Sequence, residues 1–452
     1  MKIVIIGAVA AGAKATAKAR RLLPPEDEVV VYTDDTRVSY SSCGLPYYIA
    51  GNFEDYRMLL VRSPEEFEAQ GVKINLQCKV LKILPETKQI LVHDIKNGKA
   101  ELVHYDKLII ATGARPIIPH IKNVDLPNIF TVRNIDDGIN IKAKALTSKK
   151  ALIVGGGYIG IEMLEALVVR GLKVLLVENS PYLMSILDPD MSELVYEQLT
   201  ILNDNRFKII RGESVTEFIA GDEGVVGAKL SSGQVVETDM VILATGIRPN
   251  SEIALDAGIS IGASRAIKVD KRMQTNIPDI YACGDCVEEN LLINDTPAWI
   301  PLGSNANKEG RCAAMNACGI YDEFNGVLAS SVTRCLDLNI SMTGLTEKGA
   351  KFHGLNPISV TVTKNDKVGY MPDVNNITLK LIADKTTGHI LGGQAIGSGD
   401  ADKRINTLTS ALLSKMTVDE FCKNDLTYAP PYSPTIDPLL NAAEILRAKL
   451  KL

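Results

Sequence analysis

The chain has 452 residues, 46% of them hydrophobic and 23% charged, with a formal net charge of −5. That length exceeds one core and points to about three domains, while the weak negative charge argues against nucleic acid or an acidic membrane surface as partner. Eight irregularly spaced cysteines are too sparse for a disulfide scaffold and fit a reducing cytoplasm, and no apolar run approaches the ~18 residues of a membrane span.

Met1-Lys2 followed by the apolar Ile3 to Ala13 could pass for a signal peptide, but it lacks a clear cleavage site and runs on into a strand-turn-helix pattern. Lys2 to Ile6 is β-branched and apolar, as a buried parallel strand requires. Gly7-Ala8-Val9-Ala10-Ala11-Gly12 follows, then an alanine-rich helix to about Leu23. Gly7 permits a tight turn, Gly12 lets helix and strand approach, and the helix N-terminus is free for a pyrophosphate. Val9 departs from the glycine fingerprint. Val29 to Tyr32 reads as the second strand, whose last position should carry an acid for the adenosine ribose. Thr33 stands there and Asp34 comes next; Asp34 is either the ribose ligand in a shifted register or a loop aspartate. The helix also carries Lys14, Lys18, Arg20 and Arg21, a solvated basic face or a grip for a phosphate-bearing thiol.

Ser39-Tyr40-Ser41-Ser42-Cys43-Gly44-Leu45-Pro46-Tyr47 holds a single cysteine among small and hydroxyl residues. A lone cysteine is usually a small buried hydrophobe. Here the neighbours would let a bulky disulfide approach the sulfur, and the flanking nucleotide pattern favours a reactive thiolate.

Leu108 to Ile110 runs into Ala111-Thr112-Gly113, and Pro116 and Pro119 mark a crossing to a new domain. Ala151 to Val154 then leads into Gly155-Gly156-Gly157-Tyr158-Ile159-Gly160, a helix, the strand Lys173 to Val177 and Glu178 at its end. Strand, glycines, helix, strand and acid in that order form a complete dinucleotide fingerprint. Glu178 would bind a ribose 2′-hydroxyl and repel a 2′-phosphate; Asn179 and Ser180 offer no arginine, so NADH is favoured over NADPH. Val241 to Leu243 repeats the crossing with Ala244-Thr245-Gly246, and Arg248-Pro249-Asn250 returns the chain to the first domain.

Ile280 to Asp285 is a strand ending on Gly284-Asp285, a carboxylate suited to ribityl hydroxyls. Cys283 and Cys286 form a C-x-x-C that reads as a second redox pair or, more simply, as flanks of that ligand turn; no further cysteine pair completes a zinc site. Pro301 to Ala317 starts at Leu302-Gly303 and becomes a helix whose N-terminus could face an isoalloxazine carbonyl. Beyond about Tyr321, strands are expected at Val332 to Leu338, Pro357 to Thr363 and Thr378 to Ile382, and helices at Ala401 to Ser414 and Pro438 to Leu450. Within this segment Tyr428-Ala429-Pro430-Pro431-Tyr432-Ser433-Pro434 is a proline-stiffened turn, which either packs or presents its tyrosines to a partner.

Two nucleotide patterns, a cysteine after the first and two Ala-Thr-Gly crossings resemble the flavin-dependent pyridine nucleotide–disulfide oxidoreductases over essentially the whole chain. The resemblance is strongest to the branch of coenzyme A-disulfide reductases, persulfide reductases and NADH oxidases, which carry one active cysteine. The two-cysteine C-x-x-x-x-C arrangement is absent because Tyr48 holds the second position. The resemblance implies an α/β fold of two Rossmann-like domains, for FAD (1–115 and 246–322) and NAD(P)H (116–245), plus a C-terminal α+β dimerisation domain (323–452). It implies FAD at Gly7, Gly12, Asp34, Ser42, Ala111, Thr112, Gly113, Gly284, Asp285 and Gly303. NADH would lie at Gly155, Gly157, Ile159, Gly160, Glu178 and Gly246, with Tyr158 as the aromatic that swings aside for nicotinamide and Glu162 as its polar neighbour. Peroxidase and water-forming oxidase members carry a histidine where this loop has Ala10, which favours the coenzyme A branch. There Lys14, Lys18 and Arg21 would hold coenzyme A phosphates, Ser39 and Ser42 would line its thiol arm, and Cys43 would form a mixed disulfide with it. Tyr428, with Tyr370 as a second such tyrosine, would reach Cys43 of the other subunit in a homodimer.

Overall fold

The β-branched run Lys2–Ile6 forms the centre of a five-stranded parallel sheet ordered Ile280–Ala282, Lys107–Ile110, Lys2–Ile6, Glu28–Tyr32 and Val72–Asn75. Ile3, Val4 and Ile5 are wholly buried, as strands covered on both faces must be. The computed structural model describes residues 1–203 and 205–451. Helix Ala10–Leu22 covers this sheet and crosses helix Gly303–Ala317 so closely that a Cβ on Gly310 would stand 2.3 Å from the Ala11 carbonyl oxygen.

A second parallel sheet repeats the plan, ordered Phe207–Arg211, Lys173–Glu178, Lys150–Val154, Met240–Leu243 and Ile129–Thr131. Where the chain leaves the first unit and returns to it, Ala114–Pro116 and Ile247–Pro249 pair antiparallel. Thr112 Oγ1 donates to the Asn250 carbonyl (2.6 Å) and Thr245 Oγ1 to the Ile117 carbonyl (2.8 Å). The threonines of the two Ala-Thr-Gly crossings thus pin both connections.

The third layer is an antiparallel sheet ordered Ser331–Cys335, Leu338–Gly344, Ile390–Gly397, Asn376–Asp384 and Pro357–Asn365. Helices Ala401–Leu413 and Pro438–Leu450 share one apolar core with it. The second starts where expected, with Pro438 in its first turn and Asp437 accepting the Leu439 N–H. The single strand expected at Val332 to Leu338 is instead a hairpin, because Leu336 turns the chain at φ 55°. That left-handed conformation is ordinarily signalled by Gly or Asn.

This layer also grips the second unit. Buried Lys380 pairs with Asp188 (3.3 Å), Asp190 (2.7 Å) and Glu347 (2.8 Å). Glu165 of helix Tyr158–Val169 accepts from Arg334 Nη2 and the Leu336 N–H, both at 3.1 Å. No helix among the described residues is long and apolar enough to cross a membrane.

Candidate active site

A cavity of about 700 Å³ opens along the C-terminal edge of the first sheet. Its walls include the glycine loop 7–12, residues 33–35, the 111–115 crossing, Arg133 and the turn 283–285. The loop is shaped by contact: a Cβ on Gly7 (φ 98°) would lie 2.1 Å from the Ala111 oxygen, and one on Gly12 would lie 2.0 Å from the Gly7 oxygen. Val9 is tolerated because its φ of −98° needs no glycine; its side chain packs against the neighbouring apolar cluster. In strict register Thr33 takes the acid position, buried at 6% exposure, while Asp34 beside it is exposed on the cavity wall. Asp35, a wall residue passed over in the sequence, accepts from the Tyr40 hydroxyl at 2.6 Å.

Gly284 (φ 80°) turns the chain so that Asp285 faces the cavity, and burial pushes the Asp285 carboxyl upward against the pull of Arg133. Behind the turn, Glu309 accepts the Gly284 N–H at 2.6 Å and Glu289 accepts the Ile300 N–H at 2.9 Å. Burial raises both carboxyls, and the charge of Glu309 adds to the rise at Glu289. Cys283 and Cys286 are fully buried free thiols, pushed up by burial, with Cys286 Sγ turned to the Ile110 and Cys283 carbonyls. Buried thiols of this kind are inert, so the C-x-x-C is part of the wall.

Cys43 is a free, exposed thiol in the short helix Ser42–Gly44, facing the start of helix Gly303–Ala317. A Cβ on Gly303 would lie 3.9 Å from its Sγ. Desolvation first, then the charges of Glu162 and Asp285, push the thiol upward, and Ser42 opposes them. One carboxylate belongs to each nucleotide unit, so Cys43 stands between the two. Ser39 is buried in the left-handed region (φ 50°), its N–H on the Ala8 carbonyl at 2.7 Å. That bond ties the cysteine loop to the first glycine loop.

The second loop repeats the first. A Cβ on Gly155 (φ 107°) would meet the Ala244 oxygen at 2.3 Å, and one on Gly160 the Gly155 oxygen at 2.0 Å. Around Gly157 the space is open. Glu178 accepts the N–H groups of Gly156 (2.6 Å) and Ser180 (2.7 Å), and the nearby Arg211 is engaged by Glu193 and the Tyr196 ring. Tyr158, Ile159 and Glu162 open the helix that follows. The Tyr158 hydroxyl bonds Ser331 Oγ at 2.5 Å, and Glu162, raised by burial, accepts from Thr333 Oγ1 at 2.9 Å. Thr112, Gly113 and Gly246 sit in the crossings, Gly113 under Arg133.

Lys14, Lys18 and Arg21 lie along one side of helix Ala10–Leu22 and form no hydrogen bond or ion pair with the described residues. Arg20 is spent on its own helix end, donating to the carbonyls of Leu23, Pro24 and Asp27. Tyr370 and Tyr428 are exposed at 75% and 49% on the C-terminal layer. Sequence reasoning missed Arg133, whose guanidinium has no ion-pair partner among the described residues, and Ser331 and Thr333. A loop arginine and two strand hydroxyls carry no local signal of what they face. Among the described residues no cluster of side chains is arranged to hold a metal ion.

The model of the pyridine nucleotide-disulphide oxidoreductases matches residues 1–310, and that of their dimerisation domain matches 331–439. The NADH oxidase of Methanocaldococcus jannaschii is 35% identical over 455 residues, covering 100% of this chain and 99% of its own. The CoA-dependent NAD(P)H sulfur oxidoreductase of Pyrococcus furiosus is 36% identical over 450 residues, covering 99% of each chain. The crystal structure of reduced CoADR-RHD from Bacillus anthracis superposes with a TM-score of 0.95 at 35% identity, covering 100% of this chain and 80% of the other. With its two parallel nucleotide folds and antiparallel C-terminal layer, this chain belongs to the pyridine nucleotide-disulphide oxidoreductase family and is an oxidoreductase.

Proposed function

We propose that the protein is an NADH-dependent coenzyme A-disulfide reductase whose working thiol is Cys43. The observation that carries this reading is the position of Cys43, exposed at the mouth between the two nucleotide folds and facing Gly303. The walls fit FAD. The tight turn at Gly7 and Gly12 leaves the N-terminus of helix Ala10–Leu22, with Arg133, to suit its diphosphate, and Gly284 turns Asp285 to suit its ribityl chain. Asp34 is the exposed carboxylate for the adenosine ribose. Gly155, Gly157, Gly160 and Glu178 suit NADH, since Glu178 disfavours a 2′-phosphate and Arg211 is already paired. When bound, flavin and nicotinamide supply the hydride and electron transfer.

The chain supplies the sulfur and its surroundings. Desolvation, and after it the two carboxylates, push the Cys43 thiol upward, which disfavours a resting thiolate and favours a neutral mixed disulfide with coenzyme A. Two electrons and one proton convert that disulfide into the Cys43 thiolate and free coenzyme A. The thiolate attacks coenzyme A disulfide, the S–S bond breaks, the mixed disulfide re-forms and one coenzyme A thiolate departs. Tyr428 of the partner subunit protonates it as a general acid. Lys14, Lys18 and Arg21, without partners among the described residues, would hold the phosphates, and Ser39 and Ser42 would flank the thiol arm.

The test is anaerobic NADH oxidation by the FAD-loaded protein with coenzyme A disulfide, coenzyme A persulfide or inorganic polysulfide. Fast turnover on the disulfide, abolished in Cys43→Ser while NADH still bleaches the flavin, is the expected result. Disulfide turnover retained in Cys43→Ser would overturn it. Preference for the persulfide or polysulfide, the general direction of the CoA-dependent sulfur oxidoreductase of Pyrococcus furiosus, would move the substrate while keeping the same sulfur.

A further inference from the structure

Tyr370 and Tyr428 lie on separate loops, and one buried side chain joins the bases of both. Arg404, on helix Ala401–Leu413, is 1% exposed. Its Nη2 donates to the Asp366 carbonyl at 2.8 Å. Asp366 and Asn375 close the loop that carries Tyr370, through Asp366 N–H to the Asn375 carbonyl and Asn375 N–H to Asp366 Oδ1, both at 2.8 Å. The same guanidinium reaches Asp437 Oδ2 through Nε (3.2 Å) and Nη2 (3.1 Å). Asp437 Oδ2 also accepts from Ser433 Oγ at 3.1 Å, at the end of the proline-stiffened turn that carries Tyr428. The remaining nitrogen, Nη1, donates to the Asp400 carbonyl at 3.3 Å.

A buried charged pair adds little stability over apolar side chains of equal volume. What a guanidinium adds is a rigid fork of five donors, able to fix two acceptors in a set geometry; an ammonium is a point charge that cannot span both. We propose that Arg404 is a positioning residue that holds Tyr370 and Tyr428 as one unit, so that both meet the disulfide bound at Cys43 of the partner subunit together. This rests on the function proposed above.

The experiment compares FAD-loaded wild-type enzyme with Arg404→Lys and Ser433→Ala, by amide hydrogen exchange and by steady-state kinetics. In Arg404→Lys, exchange is expected to rise in residues 366–375 and 424–437 together, with the Cys43 loop unchanged. The KM for coenzyme A disulfide rises about tenfold, the effect of losing one charge-assisted hydrogen bond, while the rate of flavin reduction by NADH stays the same. Ser433→Ala keeps the arginine and serves if the lysine variant does not fold; it should loosen 424–437 alone, with a smaller rise in KM. Exchange rising in only one loop of Arg404→Lys, both loops loosening with KM unmoved, or no change of exchange in Ser433→Ala would each overturn the role of Arg404. Full disulfide turnover by a Tyr370→Phe, Tyr428→Phe double variant would instead overturn the tyrosine reading itself, so the two failures are distinguishable.

Discussion

The two glycine loops of this chain are built to one plan and loaded differently. In strict register Gly7 matches Gly155, Gly12 matches Gly160 and Ala111 matches Ala244, and the forbidden Cβ contacts agree to within a few tenths of an ångström. The middle position differs, with Val9 in one loop and Gly157 in the other, at φ of −98° and −81°. The first and last glycines are thus demanded by the chain's own packing. The middle one is not: around Gly157 the space is open. The helices that follow diverge in the same register: Ala10 stands where the second carries Tyr158, and Lys14 where it carries Glu162. One helix carries a cation at this position, the other a carboxylate that Cys43 feels.

The strongest way to break this comparison is to fill the forbidden spaces. Gly12→Val and Gly160→Val should each collapse one nucleotide site, because overpacking against a backbone oxygen costs about 1–3 kcal/mol or more and cannot relax through a side chain. Gly12→Val is expected to purify without flavin. Gly160→Val should keep its flavin and lose reduction by NADH by at least about a hundredfold. Absorbance of the purified proteins and anaerobic NADH titration check both, and a Gly12→Val protein with full flavin would defeat the equivalence of the loops.

A middle-sized effect sharpens the contrast between Lys14 and Glu162. Because desolvation, Glu162 and Asp285 raise the Cys43 thiol, the folded chain holds that proton more tightly than the unfolded chain does. The associated stability is present below the ordinary thiol pKa and is lost as pH rises through the raised one. Glu162→Gln removes one of the raising charges and leaves desolvation. The pH profile of Cys43 alkylation by iodoacetamide in the flavin-free protein should therefore move to lower pH, with about threefold faster labelling at pH 8. A profile that stays put or moves upward would show that Glu162 does not act on the sulfur.

The smallest effect is expected at the middle position. Val9→Gly should cost no more than about 1 kcal/mol, from backbone entropy and lost packing, and should leave flavin bound. Thermal unfolding measures it; a loss as large as that of Gly12→Val would make the middle position structural after all.

Much of this was legible in the chain because the signals are local. A β-branched run, a glycine at a forced φ and a proline-led helix such as Pro438–Leu450 are specified within a few residues. So were the order of the two units and the cysteine between them. The small sheets Cys78–Leu84 with Gln89–Asp94, and Val215–Gly221 with Gly224–Leu230, were not legible. Bulges after Val80 and Val215 break the two-residue alternation by which a strand is recognised.

By itself, the sequence determined the two strand-glycine-helix folds, their acid or lack of one, and the small and hydroxyl residues around Cys43. Only the tertiary structure decided what stands opposite them. It set Ser331 and Thr333 against Tyr158 and Glu162 across more than 170 residues, and Arg133 over Gly113. It also brought Glu289 near Glu309 behind the Gly284 turn and put Arg404 under both tyrosine loops. Such contacts join residues whose neighbours in the chain share no periodic pattern, so their energies arise from packing and desolvation that exist only once the sheets have met.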